Sequence, residues 1–214
     1  ITSLVVQQKN KQRVNVHLDG QFAFGLAAIL AARLKVGQQL TESGIQQLRA
    51  LDEVEAAYER ALHYLSFRPR SQQEMERFLK DKGVGEAARA QVLERLRRSD
   101  LVNDAAFAQF WVGNRETFAP RSKAALRHEL RQKGLAPAAV GAALEAVDET
   151  ASAYAAARPR AARLAQLDEA TFKRRLAGFL GRRGFAYEVA QEVVNRLWRE
   201  AHGDDDDSSQ ESET

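Results

Sequence analysis

Apolar positions along the chain alternate briefly at its start and then settle into a helical period that lasts almost to its end. Leu4 to Val6 form a short apolar run, and Val14, Val16, Phe22 and Phe24 alternate around Asp19-Gly20, the pattern of a small N-terminal β-hairpin. A three-residue loop with Gly20 in the left-handed position sets Val16 opposite Phe22 and Val14 opposite Phe24, so the apolar residues share one face. A two-residue turn at Asp19-Gly20 would set Val16 opposite Ala23 and divide them, so the longer loop is expected. From Ala27 to Leu34 the spacing turns helical, Gly37 interrupts it, and Thr41 can cap a second short helix holding Ile45 and Leu48. A longer helix begins near Asp52, with Val54, Ala57, Tyr58, Ala61, Leu62 and Leu65 at steps of three and four, and Pro69 ends it.

The chain then repeats itself. Arg70-Ser71-Gln72-Gln73-Glu74 opens a stretch closing at Phe78-Leu79-Lys80-Asp81-Lys82-Gly83, and Arg121-Ser122-Lys123 opens one closing at Glu129-Leu130-Arg131-Gln132-Lys133-Gly134. A weaker third copy closes at Phe179-Leu180-Gly181-Arg182-Arg183-Gly184, so the glycines at 83, 134 and 184 are 51 and 50 residues apart. Leu79, Leu130 and Leu180 share one register, as do Leu93, Leu144 and Val194. Such a period marks a tandem supersecondary unit. Ser71 with Glu74 fits a capping box, and each glycine suits a left-handed C-cap. Each copy therefore predicts three helices. In the second these are Asp104 to Thr117, Ser122 to Lys133, and Pro137 to Val147. In the third they run from about Tyr154 to Leu167, from the Asp168 cap to Arg183, and from Tyr187 to Ala201. The expected divisions are 1–51 for the hairpin and short helices, 52–101, 102–150 and 151–202 for the repeats, and 203–214 for a disordered acidic tail.

Charge sharpens this picture. The net charge of +3 conceals six of the 29 acids in the last eleven residues, which leaves 32 basic residues against 23 acids before them. The excess lies in the repeats, since residues 1–56 are nearly balanced. A positive field of this kind suits a polyanion or an acidic protein surface. Arginine exceeds lysine 24 to 8, favouring planar contacts to phosphate or carboxylate. The tail either keeps the chain soluble or acts as an anionic competitor folding back on the repeats.

Candidate chemistry is sparse. The chain has no cysteine, which excludes thiol catalysis and thiolate metal sites. His17, His63, His128 and His202 stand in no ligand-like spacing, and phosphate-loop and nucleophile-elbow motifs are absent, so no enzyme activity, cofactor or metal is expected. Asp52-Glu53, Asp148-Glu149 and Asp168-Glu169 are read as helix starts. No apolar run approaches the length of a membrane-spanning helix and no signal-peptide pattern opens the chain, so the expected location is cytoplasmic, with no membrane partner. Basic residues at repeat-equivalent places are the candidates for binding: Lys82, Lys133 and Arg183 before the glycines, Arg70 and Arg121 before the capping serines, and Lys123 with Lys173. Arg68 and Arg115 join them at the helix junctions, and Arg174, Arg175 and Arg182 thicken the third copy. Any one of these serves ordinarily as a solvated charge or a dipole partner; recurrence in register argues for the group. Phe67 and Phe118 sit in loops beside arginines and can stack on a base or guanidinium.

The order Ala61-Leu62-His63-Tyr64-Leu65-Ser66-Phe67-Arg68-Pro69-Arg70-Ser71, Phe78 to Gly83, Leu101-Val102-Asn103-Asp104-Ala105-Ala106-Phe107-Ala108, Arg121-Ser122-Lys123 and Glu129 to Gly134 closely resembles the RecX family, over about residues 1–201. The resemblance implies a mainly all-α fold: an elongated, curved array of three tandem three-helix repeats, preceded by the hairpin and short helices. It also implies a regulator of DNA repair, homologous recombination and the SOS response that binds the RecA recombinase. Its target would include the RecA filament on single-stranded DNA, with inhibition of ATP hydrolysis and strand exchange. Some members touch DNA directly, and the chain is expected to act as a monomer. The alternative is a sequence-nonspecific DNA-binding helical-repeat module. The family brings no catalytic residue.

Overall fold

The computed structural model describes residues 1–203; the acidic tail expected over 203–214 lies, apart from Gly203, outside the described residues. These form three strands and ten helices. The chain divides into two compact units, Ile1–Asn103 and residues from Asp104 onward, each described by itself. Among the described residues no helix is long and apolar enough to cross a membrane.

The first unit opens with an antiparallel sheet of β1 (Ser3–Val6), β2 (Arg13–Leu18) and β3 (Gln21–Ala27) in sequential order, one strand more than a hairpin. The expected three-residue loop is not what forms. Leu18 pairs with Gln21 across a two-residue turn in which Asp19 and Gly20 take φ of 50° and 81°, the left-handed pair that matches strand twist. A bulge between Val16 and His17 absorbs the extra residue and sets Val16 opposite Phe24, so Val14, Val16, Phe24 and Leu26 are buried. Phe22 instead faces out beside His17. The bulge thus does what the longer loop was expected to do, and only one phenylalanine reaches the core.

The helix expected over Ala27 to Leu34 is a single turn, α1 (Ala28–Ala31). Thr41 does cap a helix, its hydroxyl accepting from the Gly44 N–H, but that helix is α2 (Glu42–Leu65) and does not stop. The expected short helix and the first repeat's opening helix are continuous, and the boundary at 51/52 falls inside it. Asp52-Glu53 is accordingly not a helix start. From mid-helix the Asp52 carboxylate accepts from both terminal nitrogens of Arg13, at 3.0 and 2.9 Å, and from the Ala27 N–H, at 2.7 Å, tying the sheet to α2. Glu53 accepts from the Gly85 N–H.

The first repeat continues with α3 (Gln72–Asp81) and α4 (Glu86–Arg98). Ser71 and Glu74 form the full capping box. The second unit holds α5 (Asp104–Phe118), α6 (Lys123–Gln132) and α7 (Pro137–Glu145), then α8 (Glu149–Leu164), α9 (Glu169–Arg182) and α10 (Tyr187–His202). Asp148 caps α8, which starts five residues before the expected Tyr154 and carries Pro159 inside it. Each repeat closes over its own core: Ala57, Ala61, Met75, Leu79 and Val92 in the first, Phe107, Leu126, Leu130 and Leu144 in the second, Phe172, Leu176, Leu180 and Val193 in the third. Each of the larger of these buried side chains contributes on the order of 2 kcal/mol by transfer from water, and the alanines well under half of that.

The same corner ends the middle helix of every repeat. Gly83, Gly134 and Gly184 have φ of 74°, 82° and 89°, which glycine adopts without a Cβ penalty. The next residue returns its N–H to the carbonyl five back, Val84 to Leu79, Leu135 to Leu130 and Phe185 to Leu180. Its side chain is buried each time, the apolar contact that accompanies this helix ending.

Candidate interaction surface

Each repeat places a cation against an aromatic ring near the corner. In the first, the Tyr64 and Phe78 rings stack with centroids 4.0 Å apart. The Arg70 guanidinium lies 3.8 Å from the Tyr64 centroid, and Lys82 Nζ lies 5.8 Å from that of Phe78. In the second, Trp111 lies 4.7 Å from the Arg115 guanidinium and 4.8 Å from Lys133 Nζ. In the third, Arg160 and Arg183 stand 5.0 and 4.7 Å from the Phe179 ring. These distances lie within the range of cation–π attraction. The ring also covers one side of each charged head.

The predicted binding residues divide by what already holds them. Arg68 grips Glu74 through both terminal nitrogens, at 3.0 and 3.1 Å, and donates to the Pro69 carbonyl. Arg70 has its Nε buried without a hydrogen-bond partner. Arg115 and Arg121 converge on Glu129, at 2.8 and 3.2 Å, where the Trp111 indole N–H also donates at 2.7 Å. Lys173 pairs with Glu169 at 2.6 Å. Arg183 donates to the Pro120 carbonyl at 2.9 Å, binding the third repeat's corner to the second repeat's cap. Partial burial, and after it the nearby Arg121 charge, lower the Arg183 pKa; a guanidinium remains protonated all the same. Lys123 gives its backbone N–H to Glu149, with its side chain half-buried. Arg174, Arg175 and Arg182 are exposed, Arg174 reaching only the Thr171 hydroxyl at 3.5 Å. Several expected contact residues therefore also brace the fold, whereas the three exposed arginines project their charge into solvent.

Sequence reasoning passed over the three rings, the further cation and the acid that complete these arrangements: Tyr64, Phe78 and Phe179, Arg160, and Glu129. A signal existed, because Phe78 with Lys82, Trp111 with Arg115 and Phe179 with Arg183 are each four residues apart, along a helix or from its last turn to its C-cap. Phe67, two residues beyond α2, and Phe118, which is the last residue of α5 and not in a loop as expected, stand at equivalent places four residues before the capping serines and are 70% and 78% exposed, so each leaves a ring available for contact. Among the described residues no group of three or more His, Cys, Asp or Glu could hold a metal ion.

Comparison with known proteins agrees with this architecture. Residues 1–41 match the model for the regulatory protein RecX N-terminal domain, and residues 57–96, 103–144 and 148–207 match those for the RecX first, second and third three-helix domains. The chain is 32% identical to "Regulatory protein RecX" of Geobacillus sp. (strain WCH70), covering 91% of this chain and 75% of that protein. It is 30% identical to the protein of the same name from Bacillus subtilis (strain 168), covering 99% and 81%. A crystal structure of regulatory protein RecX superposes with a TM-score of 0.72 at 27% identity, over 91% of this chain and 98% of that one. The RecX structure from Lactobacillus salivarius, at 21% identity, shares the fold with a TM-score of 0.59 over 69% and 97%.

Proposed function

The chain belongs to the RecX family of regulatory proteins, and from that premise we propose that it regulates the RecA recombinase. In this reading it binds RecA and the RecA filament on single-stranded DNA, and inhibits ATP hydrolysis and strand exchange. Recombination and repair are modulated thereby. It acts as a cytoplasmic monomer, without catalysis of its own. The observation that carries the reading is the recurrence of a ring-backed cation at Lys82, Lys133 and Arg183, one per repeat. A regular series of weak contacts suits a partner that is itself periodic, because the second and third bind at the high effective concentration set by the first. A protein bridging successive filament subunits would oppose the rearrangements that accompany nucleotide turnover.

The test is RecA ATPase on single-stranded DNA with increasing amounts of this protein, beside the double variant Arg174→Glu with Arg175→Glu. Both side chains are exposed, so the fold should tolerate the change. The concentration needed for inhibition should rise about tenfold, roughly 1.4 kcal/mol. Unaltered inhibition by the variant would remove the third repeat's patch from the contact, and absence of inhibition by the parent protein would remove the function. The exposed Phe67 and Phe118 rings beside arginines favour a second reading, a sequence-nonspecific DNA-binding module. Binding to naked single strands without RecA, weakening steeply with salt as counterions return, would identify it.

A further inference from the structure

The second unit contains a groove of about 540 Å³ bounded by the end of α5, the middle of α8 and the end of α9. Its apolar surface includes Phe118, Pro159 and Phe179, and its charged side chains are Arg160, Arg163, Arg183 and Glu116. Three features define what fits there. The first is the rings. Phe179 already carries Arg160 and Arg183 against it, so Phe118, 78% exposed, is the open aromatic of the groove. A strand bound by base stacking needs a run of open rings, whereas a single apolar anchor needs one. The second is charge. Three guanidinium groups against one carboxylate match carboxylates in bidentate geometry, while Glu116 opposes a continuous phosphate backbone.

The third feature is Pro159. Lacking an N–H, it deprives the Ala155 carbonyl, on the same wall, of its usual donor from the next helical turn. A peptide N–H can supply that bond; a phosphodiester cannot.

We propose that this groove docks an extended acidic segment of a protein partner. One large apolar side chain seats on Phe118, carboxylates meet Arg160 and Arg163, and a backbone N–H reaches the Ala155 carbonyl. The inference goes beyond the regulatory reading, because it specifies the chemistry of the segment and does not depend on which protein carries it. The chain's own residues 204–214 fit poorly, having carboxylates but no apolar side chain.

The experiment is fluorescence anisotropy with the full chain at about 0.1 M salt. The first probe is a fluorescein-labelled peptide of about ten residues with acids flanking one Phe. The others are the same peptide with Phe replaced by Ser, the same peptide with its acids replaced by amides, a peptide of residues 204–214, and a labelled oligothymidylate. The first peptide should bind about tenfold more tightly than either altered form. Phe118→Ser, and Arg160→Gln with Arg163→Gln, should each cost it about tenfold. Pro159→Ala, which restores the helical N–H, should weaken the peptide while raising the thermal midpoint. These variants are read only where the tryptophan-detected unfolding transition persists, and Arg163→Glu alone serves if the double change destroys it. Failure of the acidic Phe peptide to bind at millimolar protein overturns the proposal, as does binding indifferent to Phe118→Ser or to the arginine changes. Equal binding by the 204–214 peptide would assign the groove to the chain's own terminus. Tighter binding of the oligothymidylate, lost in Phe118→Ser, would assign it to nucleic acid. Either result replaces the proposed occupant. A Pro159→Ala variant with unchanged peptide affinity overturns the backbone contact. A parent protein that fails to bind the peptide yet inhibits RecA overturns the docking alone, and one that binds the peptide yet leaves RecA uninhibited overturns the regulatory reading alone.

Discussion

Replacing Gly184 with alanine should destabilise the second unit by more than backbone strain explains. Gly83 and Gly184 occupy equivalent corners with similar φ, 74° and 89°, so an added Cβ costs each about 1–2 kcal/mol in the left-handed region. Their surroundings differ. A Cβ on Gly83 meets nothing within 4 Å, but one on Gly184 lies 2.7 Å from Ser122 Oγ and 3.2 Å from the Ala125 Cβ. Ser122 cannot readily rotate away, because its Oγ accepts the Ala125 N–H at 3.1 Å as the N-cap of α6, and its own N–H donates to the Arg183 carbonyl at 3.3 Å. Overpacking of this kind adds about 1–3 kcal/mol, so Gly184→Ala should cost roughly 2–5 kcal/mol against 1–2 for Gly83→Ala. Both tryptophans, Trp111 and Trp198, lie in the second unit, so urea unfolding followed by tryptophan fluorescence isolates the larger effect, with circular dichroism following Gly83→Ala. A double-mutant cycle supplies the refutation. Ser122→Ala alone loses about 1 kcal/mol of capping, but it removes the 2.7 Å obstacle, so Gly184→Ala should cost at least about 1 kcal/mol less on that background. Additive costs, or equal costs at Gly83 and Gly184, would show that the corner does not press on the cap.

Other expectations follow from the polar contacts. Asp52→Ala leaves Arg13 and the Ala27 N–H without their shared acceptor, and should cost about 3 kcal/mol; hydrogen exchange should quicken in β2 and β3 before it does in α4. Glu129→Gln removes the charge that binds Arg115 and Arg121, so binding to single-stranded DNA or another polyanion should tighten and its salt dependence steepen by roughly one counterion. Weaker or unchanged binding would mean that these arginines do not face the polyanion. The Tyr154 hydroxyl donates to Glu200 at 2.8 Å, which raises its pKa above the ordinary 10.0, with desolvation adding to the effect. Because the folded value is raised, this contribution to stability is present below the unfolded pKa and is lost as pH rises through the folded one. Ultraviolet titration of the protein and of Glu200→Gln should differ by one tyrosine, Tyr154, which ionises at lower pH in the variant.

What could be read in advance was whatever depends on local chemistry. The caps at Ser71, Ser122 and Asp168, and the corners at Gly83, Gly134 and Gly184, declare themselves because a hydroxyl or carboxylate before a helix, or a glycine after it, meets a backbone need within a few residues. The misreadings at the N-terminus came from contacts local pattern does not contain. Nothing near Asp52 distinguishes a first-turn acid from a mid-helix one; its role comes from Arg13, 39 residues away. The strand register failed for a related reason, since a bulge changes the parity of pairing without altering the alternation of residue types.

The ring-backed cations show the same limit and what it conceals. At the positions matching Phe78 and Phe179 the second repeat has Glu129, and its ring comes instead from Trp111 on the preceding helix. In-register comparison therefore breaks at the middle copy. Yet Lys133 still lies over a ring, and Glu129 takes on a different task, gathering Arg115, Arg121 and the Trp111 N–H. The position of the charge persists while the residue beneath it changes. Helix packing alone gives no reason for that, because a lysine or arginine just before a C-capping glycine needs no ring to complement the helix dipole. Support from two different elements for the same cation argues that its placement matters, so substitutions at Lys82 and Lys133 should be read for loss of partner binding before loss of stability, whereas Arg183 also holds the Pro120 carbonyl and its loss should be read in both.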